Sequence, residues 1–119
     1  MKLHQLFVIA FLIGGTSVAI AQDSVRLQLE IVKDSSTVAT PEVSVISGST
    51  GTIELDRVGR IAFTPTLRGS ESVAVAFDIR VGGKRMQPRL VISRKDPGSL
   101  SWRSDTGSES FKIRVSWIQ

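Results

Sequence analysis

A sixteen-residue pattern occurs twice in this chain and restricts the fold more tightly than composition does. Residues 40–55 read TPEVSVISGSTGTIEL, and forty-seven positions on, residues 87–102 read QPRLVISRKDPGSLSW. Pro88 answers Pro41, Leu90 and Ile92 answer Val43 and Val45, Gly98 answers Gly51, and Leu100 and Trp102 answer Ile53 and Leu55, without a gap. Side chains alternate between the two faces of a strand, so a one-residue slip would turn the apolar set outward. Preserved phase therefore specifies the same pair of strands twice. Each copy is expected to form a β-hairpin, turning at Ser47-Gly48-Ser49 in the first and at Lys95-Asp96-Pro97-Gly98 in the second.

The flanking segments keep period two. Val25, Leu27, Leu29 and Ile31 share one face, Ile61 and Phe63 alternate up to Pro65, and Val73, Val75, Phe77 and Ile79 carry small Ala74 and Ala76 on their back. Phe111, Ile113, Val115 and Trp117 close the series. Turn-prone stretches separate these runs: residues 33–36, 56–59 and 68–71, and Gly82-Gly83, a pair suited to a two-residue hairpin turn. Beyond Gln22 no window of a dozen residues shows a helical period. The expected fold is an all-β domain, a small antiparallel β-sandwich or compact barrel of about eight strands. Two duplicated four-strand halves, residues 25–67 and 73–118, would build it.

The first 21 residues read differently. One lysine precedes the unbroken apolar run 6–13, Gly14-Gly15 ends it, and Ala19-Ile20-Ala21 places small residues where a signal peptidase reads them. This is the pattern of a secretory signal peptide cleaved between Ala21 and Gln22, and the run is well short of the ~20 apolar residues of a spanning helix. The mature chain, 22–119, is then a single domain with no membrane span, periplasmic or secreted. Without Lys2 it keeps 14 basic residues against 11 acidic ones, a net of +3. A balance this mild gives solubility and a slight attraction to anionic surfaces, not the footprint of a nucleic-acid binder. The chain has no cysteine, so the sandwich must hold without disulfides although export would permit them.

The chemistry is bounded by missing residue types. The one histidine, His4, lies in the leader, so the mature chain has no His, Cys, Tyr or Asn. Ser-His and Cys-His nucleophile pairs and zinc sites of imidazole or thiolate are thereby removed, and neither a metal nor another cofactor is expected. Proton transfer at neutral pH would need carboxylates or lysines with strongly shifted pKa values. Asp105-Thr106-Gly107-Ser108 spells the Asp-Thr-Gly-Ser of aspartic proteases, but Arg103-Ser104 before it and Glu109-Ser110 after it suit a polar turn better. Glu54 and Asp78 would be a glycosidase-like carboxylate pair, yet alternation places both on an outer, solvated face. No catalytic residue is assigned.

The positive feature is a basic cluster. Arg80, Lys84, Arg85, Arg89, Arg94 and Lys95 fall within sixteen residues, with only Asp78 and Asp96 as acidic neighbours. The cluster is read either as a docking patch for another envelope protein or an anionic envelope surface, or as protection of exposed strand edges by charge.

One family is similar in part. Pro41-Glu42-Val43, Gly48, Thr52-Ile53-Glu54-Leu55, Val58-Gly59, Ile61-Ala62-Phe63-Thr64-Pro65, a polar loop at 68–71 and the alternating run 73–79 follow one another in order. Together these residues, 41–79, resemble the central motif of bacterial secretins, the outer-membrane channels of type II and type III secretion systems. A secretin is several times longer, with ring domains before this region and membrane strands after it, so a pore is not implied. The resemblance implies a small exported β module associated with an envelope machine. The leading functional expectation is accordingly a non-enzymatic binding or accessory module of the bacterial cell envelope, acting through a strand edge or its basic patch. The alternatives are a small secreted inhibitor that projects a loop such as 94–98 or 68–71, and a carboxylate hydrolase. Sequencing the N-terminus of the exported protein checks the leader: a start at Gln22 is expected, and a start at Met1 would refute export.

Overall fold

Each alternating run becomes a strand because its β-branched and aromatic residues can bury one face while its polar residues meet water. The computed structural model describes residues 8–12, 23–56 and 59–118. Among them there is no helix, and the strands form two antiparallel sheets packed as a sandwich. The described residues form eleven strands, ten of them after Gln22, where about eight were expected: β1 (Val8–Leu12), β2 (Ser24–Lys33), β3 (Ser36–Ala39), β4 (Glu42–Ile46), β5 (Gly51–Leu55), β6 (Gly59–Arg68), β7 (Ser72–Val81), β8 (Lys84–Met86), β9 (Arg89–Ser93), β10 (Gly98–Arg103) and β11 (Ser110–Trp117). The short β3 and β8 are additional to the expected strands. Strand β1 lies inside the sequence read as a leader, while Ala21 and Gln22 fall outside the described residues.

The first sheet runs β1-β5-β6-β7-β8, with β9 also paired to β7; the second runs β10-β11-β2-β3, with β4 also paired to β2. This corrects the expectation for the repeated motif. Neither copy is a hairpin: β4 and β5 lie in opposite sheets, and so do β9 and β10. Period two fixes which face a residue occupies but leaves open which strand lies beside it, and the sandwich uses each turn to change sheets.

The two halves nonetheless share one pairing scheme. Val25 and Leu27 pair with Val45 and Val43, as Val73 and Val75 pair with Ile92 and Leu90. Leu29 N–H donates to the Pro41 carbonyl and Phe77 N–H to the Pro88 carbonyl, each at 2.9 Å. Gly51 and Gly98 pair with Phe63 and Val115. Gly82 and Gly83 have φ of 69° and 79°, the two positive angles of the expected tight hairpin, between Val81 and Lys84. Asp34 and Ser35, at φ of 49° and 70°, make the corresponding turn without glycine, and Asp34 Oδ1 accepts from Ser110 N–H at 2.9 Å.

Apolar residues of both sheets meet in one core: Val43, Val45, Ile53 and Leu55 are buried with Ile92 and Trp102, and Leu90 and Leu100 pack at its margin. Pro65 continues β6 past the end of β5, so its missing N–H breaks no pairing with that strand, and its carbonyl accepts from Gly48 N–H at 2.8 Å. Space is tight where each motif copy changes sheet. A Cβ on Gly51 would lie 2.7 Å from Phe63 Cζ and 3.1 Å from Val45 Cγ2, and one on Gly98 3.0 Å from Ile92 Cγ2. Gly51→Ala should therefore destabilise by about 1–3 kcal/mol, the usual range for overpacking, and Gly98→Ala by less. Urea melts of the two variants check both the magnitude and the order.

Candidate functional site

The outward side chains of the first sheet are set by register. Glu54 of β5 stands opposite Arg60 of β6, Arg60 opposite Arg80 of β7, and Arg80 opposite Arg85 of β8. Three arginines therefore occupy directly opposed positions on three neighbouring strands, which lie about 4.8 Å apart. Arg85 grips Asp78 with a two-pronged contact, Nε to Oδ1 and Nη2 to Oδ2, each 3.2 Å. Arg60 Nη2 lies 3.4 Å from Glu54 Oε2. Arg80, between them, has no carboxylate within salt-bridge distance among the described residues. Beside the row the sheet is smooth, with Ala62, Ala74, Ala76, Thr64 and Thr66 facing outward and Val91 the most exposed large apolar residue.

The predicted basic cluster divides on this framework. Arg80, Arg85 and Arg89 share the outer face of the first sheet, with Arg89 opposite Ala76, about 13 Å along β7 from Arg80. Lys84 pairs with inward-facing Val81 and so lies on the other side of β8 from Arg85. Arg94 and Lys95 sit in the turn after β9, where the Arg94 guanidinium lies 4.0 Å over the Trp117 ring. Arg60 joins the row although it lies twenty residues before Arg80. Its outward phase was readable from neighbouring Ile61, but its place opposite Arg80 depends on the length of the β6–β7 turn.

The catalytic-looking fragments take ordinary places. Glu54 and Asp78 lie on β5 and β7 with β6 between them, each held by an arginine. The Arg85 contact holds the Asp78 carboxyl below its ordinary 3.8; partial burial opposes this, and the charges of Arg85, Arg80 and Arg60 add to the lowering. A general acid at neutral pH needs the opposite shift. Asp105-Thr106-Gly107-Ser108 forms an exposed turn between β10 and β11, pinned where Ser104 Oγ accepts from Glu109 N–H at 3.2 Å. Among the described residues no three His, Cys, Asp or Glu side chains come together as a metal site.

The outer face of the second sheet holds a shallow concavity of about 620 Å³ lined by Glu30, Val32, Ser101, Arg103, Lys112 and Arg114. At the same end Trp102 stacks on Phe111 with centroids 5.5 Å apart, and its buried indole N–H has no hydrogen-bond partner among the described residues. No family model, curated protein or solved structure matches this chain. The weight of any functional reading therefore falls on these surfaces.

Because the Asp78 pKa is depressed, the pair with Arg85 stabilises the fold above the unfolded carboxylate value, and that contribution is lost as pH falls through the folded one. A carbon-detected NMR titration should place the Asp78 midpoint below 3.8. In Arg85→Ala the midpoint should move upward, since the largest lowering influence is gone.

Proposed function

We propose that this chain is an exported, non-enzymatic binding module of the bacterial envelope that docks an acidic protein surface through the arginine row Arg60-Arg80-Arg85. The observation that carries the reading is the position of Arg80. Charged residues on edge strands are explained by the need to block edge-to-edge pairing, and that account covers Lys84 and Arg85 on β8. It does not cover Arg60 and Arg80, which lie on strands paired on both sides. Like charges placed directly opposite across strands destabilise a sheet by some tenths of a kcal/mol or more, so stability does not account for Arg80 either.

An acidic partner surface does. Each guanidinium offers a planar fork of donors suited to carboxylates. The adjoining small residues leave the face flat enough for a protein to approach. Only Ile46 and Val91 are large apolar residues exposed in the described part of the chain, which gives little to insert into a bilayer. The leader and the secretin-like motif support the envelope as the setting. The loops 68–71 and 94–98 support an inhibitor less well: both are tight, and Ser93 and Asp96 close the second on itself through reciprocal backbone bonds of 3.2 and 3.3 Å.

Arg80→Ala should leave stability within about 0.5 kcal/mol, because the repulsion from Arg60 and Arg85 that it removes is offset by the lost attraction to Asp78. Recovery of an acidic partner from envelope extract should fall about tenfold, and wild-type recovery should weaken steeply with added salt. Equal recovery by wild type and variant would overturn the reading. Binding to phosphatidylglycerol vesicles with no protein partner recovered would redirect it to lipid.

A further inference from the structure

The outer edge of β5 is covered by a segment that export would remove. Val8–Leu12 pairs antiparallel with Gly51–Leu55, setting Ala10 opposite Ile53 and Leu12 opposite Gly51. The covering segment, VIAFL, is apolar and uncharged throughout. Cleavage after Ala21, on which this inference rests, takes β1 away and leaves the outward backbone N–H and C=O groups of β5 without partners.

The corresponding strand of the other half shows how an edge that stays open is built. β10 holds in the second sheet the place that β5 holds in the first, and no described strand pairs with its outer side. Leu100, the counterpart of Ile53, is only partly buried there, and the strand ends on exposed Arg103. Ile53, by contrast, is 0% exposed with β1 alongside. β5 carries no lysine, arginine or proline to discourage pairing, and its one charge, Glu54, is held by Arg60. The position is also narrow. β1 approaches β4 of the facing sheet as well as β5, so the cover lies between two sheet margins, which suits one extended segment better than the flank of a second sandwich.

We propose that in the mature protein the β5 edge takes up an extended, uncharged, apolar segment of another protein as an added antiparallel strand, in the place the leader strand holds before cleavage. Main-chain hydrogen bonds to β5 supply the binding, and residues opposite Ile53 and Leu55 supply the selectivity, as in other cases of strand addition.

All described core residues lie from Val25 to Trp117, so the chain beginning at Gln22 contains the whole described core and is the test molecule. The probe is a labelled peptide of residues 8–12 flanked by Lys-Gly for solubility. Saturable binding is expected, with shift changes along β5 and slowed amide exchange at Thr52 and Glu54, whose N–H groups point away from β6. An Ile9→Pro peptide, which lacks the ladder donor opposite Glu54, should bind at least about tenfold more weakly. No saturable binding by a chain whose NMR spectrum is folded overturns the proposal, as does protection confined to β8, β9 or β10. Self-association of the Gln22 chain with the same β5 amides protected also overturns it, by assigning the edge to a second copy. Whether the leader is removed is read separately from the mass of the exported protein, so failure of export and failure of the edge are distinguishable.

Discussion

The fold depends on two places where the chain leaves one sheet and enters the other within four residues, 47–50 and 94–97. Facing sheets are about 10 Å apart, so each crossing has to be short, and the strand that follows begins on a glycine against the core. The first crossing is secured from outside itself: Thr50 and Thr64 hydroxyls lie 2.7 Å apart, and Ser47 Oγ accepts from Leu67 N–H at 2.9 Å. These contacts satisfy the stretch of β6 that outruns β5. Because of the crossings, each half supplies strands to both sheets, and the halves join along β6–β7 and β11–β2. The first half alone would expose the long edges of β2 and β6, and the second those of β7 and β11, an arrangement prone to intermolecular pairing.

That constraint also explains how much of the fold was legible in the sequence. Face assignment was legible: the inward residues of the repeated pattern are those that pack in the core, and Gly82-Gly83 forms the tight hairpin its composition announced. Partner assignment was not, because a four-residue polar connection serves a hairpin or a sheet crossing equally well. The turn at Asp34-Ser35 lies within the turn-prone stretch 33–36, but β3, which follows it, was missed because only residues 36–39 belong to it. The repeat carried the missing information: β8 after Gly82-Gly83 has its counterpart in β3 after Asp34-Ser35.

The proposed binding surface was half legible for the same reason. A linear cluster between residues 80 and 95 drew attention to Arg80 and Arg85, which the register does place side by side. It also gathered Lys84, turned to the other side of its strand, and Arg94, stacked on Trp117. Arg60 was invisible because charge clusters are read along the chain, whereas a sheet assembles its surface across strands. Interior position, not local charge density, is what separates Arg60 and Arg80 from residues that merely guard an edge.

The arginine row and the β5 edge are not independent surfaces. Glu54 is opposite Arg60 on one side and Ile9 of β1 on the other, so the row ends at the edge where a strand would be added. A basic residue brought opposite Glu54 would compete with Arg60 for its carboxylate, and an acidic one would repel it; a neutral residue leaves the pair intact. The edge therefore selects an uncharged segment, and acidic residues of a partner gain only by lying over the outer face, above Arg80. A single protein engaging both surfaces would add a neutral strand to β5 and turn its acidic residues across the sheet, perpendicular to that strand.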